Sequence, residues 1–170
     1  NADKQSHLQT GGGTLMKTRK LLIVDDEPVN IEVIVSILEN SSDKYEMFTA
    51  TNGQSCLKIA KDNHPDLIII DWAMPGLTGV EVIKQLKADK KTENIPVIIF
   101  TGVMTSAQDL RTALEAGAAD YIRKPLDIIE FIARVQSTIS LSVSHITIRT
   151  QRDELVKKNA ELEKAQVKIS

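Results

Sequence analysis

The stretch Leu67-Ile68-Ile69-Ile70-Asp71-Trp72-Ala73-Met74-Pro75-Gly76-Leu77-Thr78-Gly79 decides the fold. Four apolar residues run into one aspartate, and Met-Pro-Gly then breaks the pattern. A short Ile-rich run bounded by turn residues reads as a strand of a parallel sheet, buried on both faces. Open α/β sheets place their chemistry in the crevice beyond the carboxyl ends of the strands. Asp71 stands at such an end and is the leading candidate for an active carboxylate. The plainer alternative is a strand-end aspartate that only caps the next helix.

Working outward, the same pattern recurs. Leu21-Leu22-Ile23-Val24 is a second apolar run ending in acid, Asp25-Asp26-Glu27. Pro28 then suits the first turn of a helix, where a missing N–H costs nothing. Ile31, Ile34, Ile37 and Leu38 give that helix its stripe, which fades at Asn40-Ser41-Ser42. Tyr45 to Ala50 reads as a strand, and Asn52-Gly53 turns the chain into a helix carrying Cys56, Leu57 and Ala60 that ends at His64-Pro65. After Gly79 a stripe of Val82, Ile83 and Leu86 is closed by what reads as a solvated run, Lys87 to Asn94. Ile95 to Thr101 reads as a strand ending in a hydroxyl, Leu110 to Gly117 as a helix, and Ala118 to Pro125 as a last short strand ending in Lys124-Pro125. Strands alternating with helical stripes make βα units, hence an α/β fold with a doubly wound five-stranded parallel sheet.

The last helix begins near Leu126, and from there to Ser170 there is neither Pro nor Gly. Leu141, Ile148, Leu155, Leu162 and Ile169 recur at intervals of seven. Taken as d positions, they put His145, Arg152, Asn159 and Gln166 at a. That spacing implies a weak, register-defined coiled coil over residues 141–170, with self-association into a homodimer favoured over folding back on the domain. Residues 1–15 are polar, contain Gly11-Gly12-Gly13 and lack a signal peptide's apolar core, so they read as a disordered leader, with the globular domain spanning residues 16–140.

The bulk numbers narrow the classes. A chain of 170 residues has room for one domain and an appendage. A net charge of −2 argues against nucleic-acid binding driven by phosphate attraction. No apolar run is long enough to span a bilayer. The single cysteine, Cys56, lies in a helical stripe and reads as a buried structural thiol, which points toward a cytoplasmic setting. His64 has no second His or Cys near it and reads as an exposed helix-end residue.

Asp25, Asp26, Asp71, Thr101 and Lys124 all fall at carboxyl ends of parallel strands. Packed carboxylates repel, so the group calls for a divalent cation, and oxygen donors select Mg²⁺ or Mn²⁺ over zinc. A carboxylate can also attack phosphorus to give an acyl phosphate. With Val24-Asp25-Asp26-Glu27-Pro28, Asp71-Trp72-Ala73-Met74-Pro75-Gly76, Phe100-Thr101-Gly102 and Tyr121-Ile122-Arg123-Lys124-Pro125 in hand, the chain resembles a two-component response-regulator receiver domain of the chemotaxis type, with a flavodoxin-like fold, from Thr18 to Ser140. The resemblance implies that Asp71 is the phosphoacceptor and that Asp26, Asp71 and the Ala73 backbone carbonyl hold Mg²⁺, with Asp25 on its waters. It implies that Thr101 and Lys124 bind the arriving phosphoryl group, that Thr101 and Tyr121 form the switch pair, and that the peptide before Pro125 is cis. The donor would be a histidine kinase or phosphotransfer protein.

Two side chains are particular to this chain. Ala73 and Val103, each two residues past a key position, cannot orient an attacking water, which implies a long-lived acyl phosphate. Gly102 leaves backbone room beside the phosphoryl group. A magnesium-dependent phosphohydrolase would need a second acid where Ala73 stands. A silent scaffold would need none of the acids, and no helix-turn-helix follows Pro125. Resembling linkers precede diguanylate cyclase, histidine kinase, nucleotide cyclase and phosphatase domains, so the tail is expected to lead toward an output domain.

Overall fold

The computed structural model describes residues 17–102 and 106–169. The leader over residues 1–15, Met16 and Val103 lie outside them. Strands β1 (Arg19–Val24), β2 (Tyr45–Ala50), β3 (Leu67–Ile70), β4 (Val97–Thr101) and β5 (Asp120–Arg123) alternate with helices α1 (Pro28–Glu39), α2 (Gly53–Asn63), α3 (Gly79–Ala88), α4 (Ala107–Ala116) and α5 (Ile128–Val167). All strand pairs are parallel, in the order β2-β1-β3-β4-β5. The α/β, doubly wound reading holds.

The period of two along each strand sorts the core into two layers. Leu21, Ile23, Leu67, Ile69, Ile98 and Phe100 face α1 and α5, meeting Ile31, Ile34, Leu38, Phe131 and Val135. Leu22, Val24, Ile68, Ile70, Val97 and Ile99 face the other way, onto Cys56 and Ala60 of α2, Val82, Ile83 and Leu86 of α3, and Ala113 of α4. Every residue of β3 is buried, at most 1% exposed, and each such side chain contributes about 1.5–3 kcal/mol.

Local chemistry sets the helix ends. Pro28 occupies the first turn of α1. The Asn52 side chain accepts from Ser55 N–H at the start of α2, and α3 and α4 open with capping boxes, Thr78–Glu81 and Ser106–Asp109. His64 closes α2 in the left-handed region, φ 47°, and is exposed.

Three boundaries differ from the sequence reading. Ile95 and Pro96 precede β4 rather than belonging to it: Ile95 is buried but its N–H closes a turn onto Thr92 O, and Pro96 brings no N–H to a ladder. The last strand is only Asp120–Arg123, and α5 begins at Ile128 because Asp127 caps it, accepting from Glu130 N–H at 2.9 Å. The run Lys87–Asn94 is not all solvated. Thr92 is 1% exposed, its hydroxyl donating to Leu86 O at 2.7 Å, and Lys87 Nζ donates to Glu93 O and Ile95 O.

Helix α5 has 40 residues and so a length of about 60 Å. Phe131, Val135, Thr138 and Ile139 pack on the sheet. Beyond them the helix continues past the sheet, still touching the domain where Arg149 Nη1 donates to Asn94 Oδ1 at 3.1 Å. Leu141, Ile148, Leu155, Leu162 and Ile169 are all at least 59% exposed. Among the described residues, no helix is long and apolar enough to cross a membrane.

Candidate functional site

Register brings the site together. Val24 pairs with Ile70, so Asp25 and Asp71 emerge side by side, and Asp71 N–H donates to Val24 O at 3.0 Å. Ile70 pairs with Ile99 and Thr101 with Arg123, which carries Thr101 and then Lys124 to the same rim. One carboxylate oxygen from each of Asp25, Asp26 and Asp71 lies within 4.8 Å of the others.

Asp25 is 1% exposed and is held from two sides: Oδ1 accepts from Glu27 N–H at 2.9 Å and Oδ2 takes Lys124 Nζ at 3.4 Å. Lys124 also lies over the Phe100 ring, 5.0 Å from its centre. Its backbone N–H donates to Thr101 O at 2.9 Å, and the Lys124–Pro125 peptide is cis.

Asp71 is 7% exposed, and its Oδ1 has no hydrogen-bond partner among the described residues. Burial pushes its carboxyl above the ordinary range, and the Asp25 charge adds to this. The Lys124 charge, a hydrogen bond from the Thr101 side chain and one from the Trp72 backbone pull it back down. A buried carboxylate oxygen without a donor is costly. Three converging acids with one orphan oxygen, joined by no His or Cys among the described residues, fit a hard divalent cation.

Ala73, exposed at the rim, follows Asp71 by two residues. Thr101 is fully buried. Tyr121 is 8% exposed with its ring edge-on to Trp72, centroids 6.5 Å apart, and its hydroxyl is buried without a hydrogen-bond partner among the described residues. A Cβ on Gly102 would meet Lys124 Cβ at 3.4 Å, an ordinary contact.

Four contributors escaped the sequence reading. Glu27 supplies a backbone donor to Asp25, Phe100 a floor for Lys124, and Trp72 a donor to Asp71 and an edge for Tyr121. Gly79 is the fourth: its N–H donates to Trp72 O, and a Cβ there would stand 2.5 Å from Asp71 O. Its only sequence signal is the glycine after Thr78, where α3 opens.

The profile of the response regulator receiver domain matches residues 21–136, and the chain belongs to that family, a family of signalling domains rather than enzymes. Among characterised proteins, the chain is 38% identical over 124 residues to the phosphate regulon transcriptional regulatory protein PhoB of Pseudomonas aeruginosa, covering 73% of this chain and 53% of PhoB. It is 36% identical over 118 residues to the response regulator PleD of Caulobacter vibrioides, covering 69% of this chain and 25% of PleD. It is 33% identical over 120 residues to the polar-differentiation response regulator DivK of Brucella ovis, covering 71% of this chain and 95% of DivK. The alignments thus span about half of PhoB and a quarter of PleD. Among solved structures, the receiver domain of the Francisella response regulator 1452 aligns with a TM-score of 0.66 at 31% identity, over 74% of this chain and 99% of that one. The chemotaxis protein CheY4 of Vibrio cholerae aligns at 0.66 and 25% identity, over 72% and 99%.

Proposed function

We propose that Asp71 accepts a phosphoryl group from a histidine kinase or phosphotransfer protein, and that the change is delivered through α5 and its tail in a homodimer. The observation that carries this reading is the unpartnered Oδ1 of Asp71, buried beside two further acids. Asp26, Asp71 and the Ala73 carbonyl would hold Mg²⁺ or Mn²⁺ directly, with Asp25 on its waters. The cation, when bound, supplies charge neutralisation for the acids and the transferring oxygens. Asp71 attacks phosphorus, the P–N bond of the donor phosphohistidine breaks, and the imidazole departs as the acyl phosphate forms. Lys124 leaves Asp25 and pairs with the new dianion, and the Thr101 hydroxyl turns to donate to it. Tyr121 then settles in the space behind Thr101, and the face of α4, β5 and α5 changes with it.

Apolar residues at the rim support docking of a protein donor: Val29 and Val33 on α1 and Ile128 and Ile129 on α5 are 49–82% exposed, and Val33 shares a cleft of about 180 Å³ with Lys124 and Leu126. Ala73 offers no polar group to an attacking water, which supports a long-lived acyl phosphate. Loss of the label within seconds would remove that part of the reading.

Intact mass after incubation with Mg²⁺ and acetyl phosphate tests the acceptor. One added phosphoryl group on the wild type and none on Asp71→Asn is the expected result. Equal labelling of both would refute Asp71 as acceptor. No labelling from acetyl phosphate, from a panel of kinases, or with beryllofluoride as mimic would leave a silent dimerisation scaffold.

A further inference from the structure

The five d-position side chains of the tail form an exposed apolar stripe, and every a position between them is polar. That combination discriminates between orientations of a helix pair. In a parallel, in-register pair, d meets d and a meets a, so apolar layers alternate with polar ones. Arg152 and His145 can then turn their charged or polar ends outward to water while their stems cover the seam. In an antiparallel pair, a packs against d, and the apolar layers of Ile148, Leu155 and Leu162 would be lost, each side chain pressing on Arg, Asn, Gln or His.

The flanking charges favour the same choice. Lys158 at g and Glu163 at e are neighbours across a parallel pair, and no like-charged g–e pair arises between Leu141 and Ile169. An antiparallel pair sets g against g and e against e, so Lys158 would lose its acidic partner. Traced toward the domain, the seam meets Thr138, Arg134 and Phe131: Thr138 and Phe131 are buried, and the Arg134 guanidinium is held by Asp120 at 2.9 Å and Glu130 at 2.9 Å. Pairing therefore starts at Leu141.

We infer that the exposed stripe from Leu141 to Ile169 is the contact surface for a second copy of this chain, paired parallel and in register, with Asn159 facing Asn159 and Lys158 meeting Glu163 of the second copy. This rests on the reading of the tail as a dimeric output and adds its orientation and register.

The test is sedimentation of the full chain as wild type, Lys158→Glu, Glu163→Lys and the double variant, with circular dichroism to follow helix content. Each single reversal turns two symmetry-related attractions into repulsions and weakens the dimer about tenfold. The double variant restores it. In that variant Glu154 still faces a like charge four residues on within its own helix, so recovery reports contact between chains. Asn159→Cys forms a covalent dimer on mild oxidation, while the buried Cys56 stays reduced. A monomer at every concentration, or single variants that the double does not repair, overturns the inference. Mass uptake from acetyl phosphate on the same samples separates the two readings: labelling without dimer removes only the pairing, and a dimer without labelling removes only the phosphoacceptor.

Discussion

Replacing Asp71 with asparagine should make the metal-free protein more stable. The wild-type carboxylate is 7% exposed, its Oδ1 has no hydrogen-bond partner among the described residues, and Asp25 and Asp26 lie beside it. An unsatisfied buried acceptor costs about 1–3 kcal/mol. Asparagine keeps the shape, removes the repulsion and presents an N–H₂ to the neighbouring acids. The expected gain is about 1–2 kcal/mol, or about 3–8 °C in Tm, read by thermal unfolding in EDTA at pH 7. The sign with pH follows from the raised carboxyl of Asp71. Wild-type stability falls as pH rises from the ordinary carboxylate value through the raised folded one, because the folded state holds the proton longer. The variant's advantage is therefore largest above the raised folded value and fades toward pH 3.8. Adding Mg²⁺ stabilises the wild type more than the variant. A variant less stable than wild type in EDTA at pH 7 would refute the reasoning.

Gly79→Ala drives a Cβ to 2.5 Å from Asp71 O and should cost about 1–3 kcal/mol in urea unfolding; it should also weaken the Mg²⁺ response of Trp72 fluorescence, and an unchanged midpoint would count against the close approach. Burial pushes the Cys56 thiol up to about 12, so a thiol reagent at pH 8 should modify it only in denaturant; stability attached to this thiol is lost as pH climbs from 9.0 toward 12. His64→Gly relieves a left-handed backbone at φ 47° and should raise stability by about 0.5–1 kcal/mol, seen as a higher Tm.

The core strands were legible because burial on both faces leaves an unbroken apolar run, as in Leu67–Ile70. The site was legible for a related reason: parallel register turns positions at the ends of separate runs into neighbours. Ile95-Pro96 misled because an apolar run does not distinguish a buried loop from a strand. Thr92 was hidden among charged neighbours, since the turn that buries it depends on Leu86 O and Asp89 O. Phe100 beneath Lys124 and Glu27 behind Asp25 are contacts made in three dimensions, and nothing in their spacing announces them.

Helix α5 starts beside the acidic rim and leaves the domain at the other end of the sheet, near Arg19 and Tyr45. From Ser140 to Ile169 it runs about 44 Å. It is a lever arm with its fulcrum on the sheet. A tilt of about 5° at Ser140 would carry Ile169 sideways through about 4 Å, nearly half of the roughly 8–10 Å between the axes of packed helices. Displacements too small to break a single core contact at β5 thus arrive at the far end as a sideways swing of several ångströms.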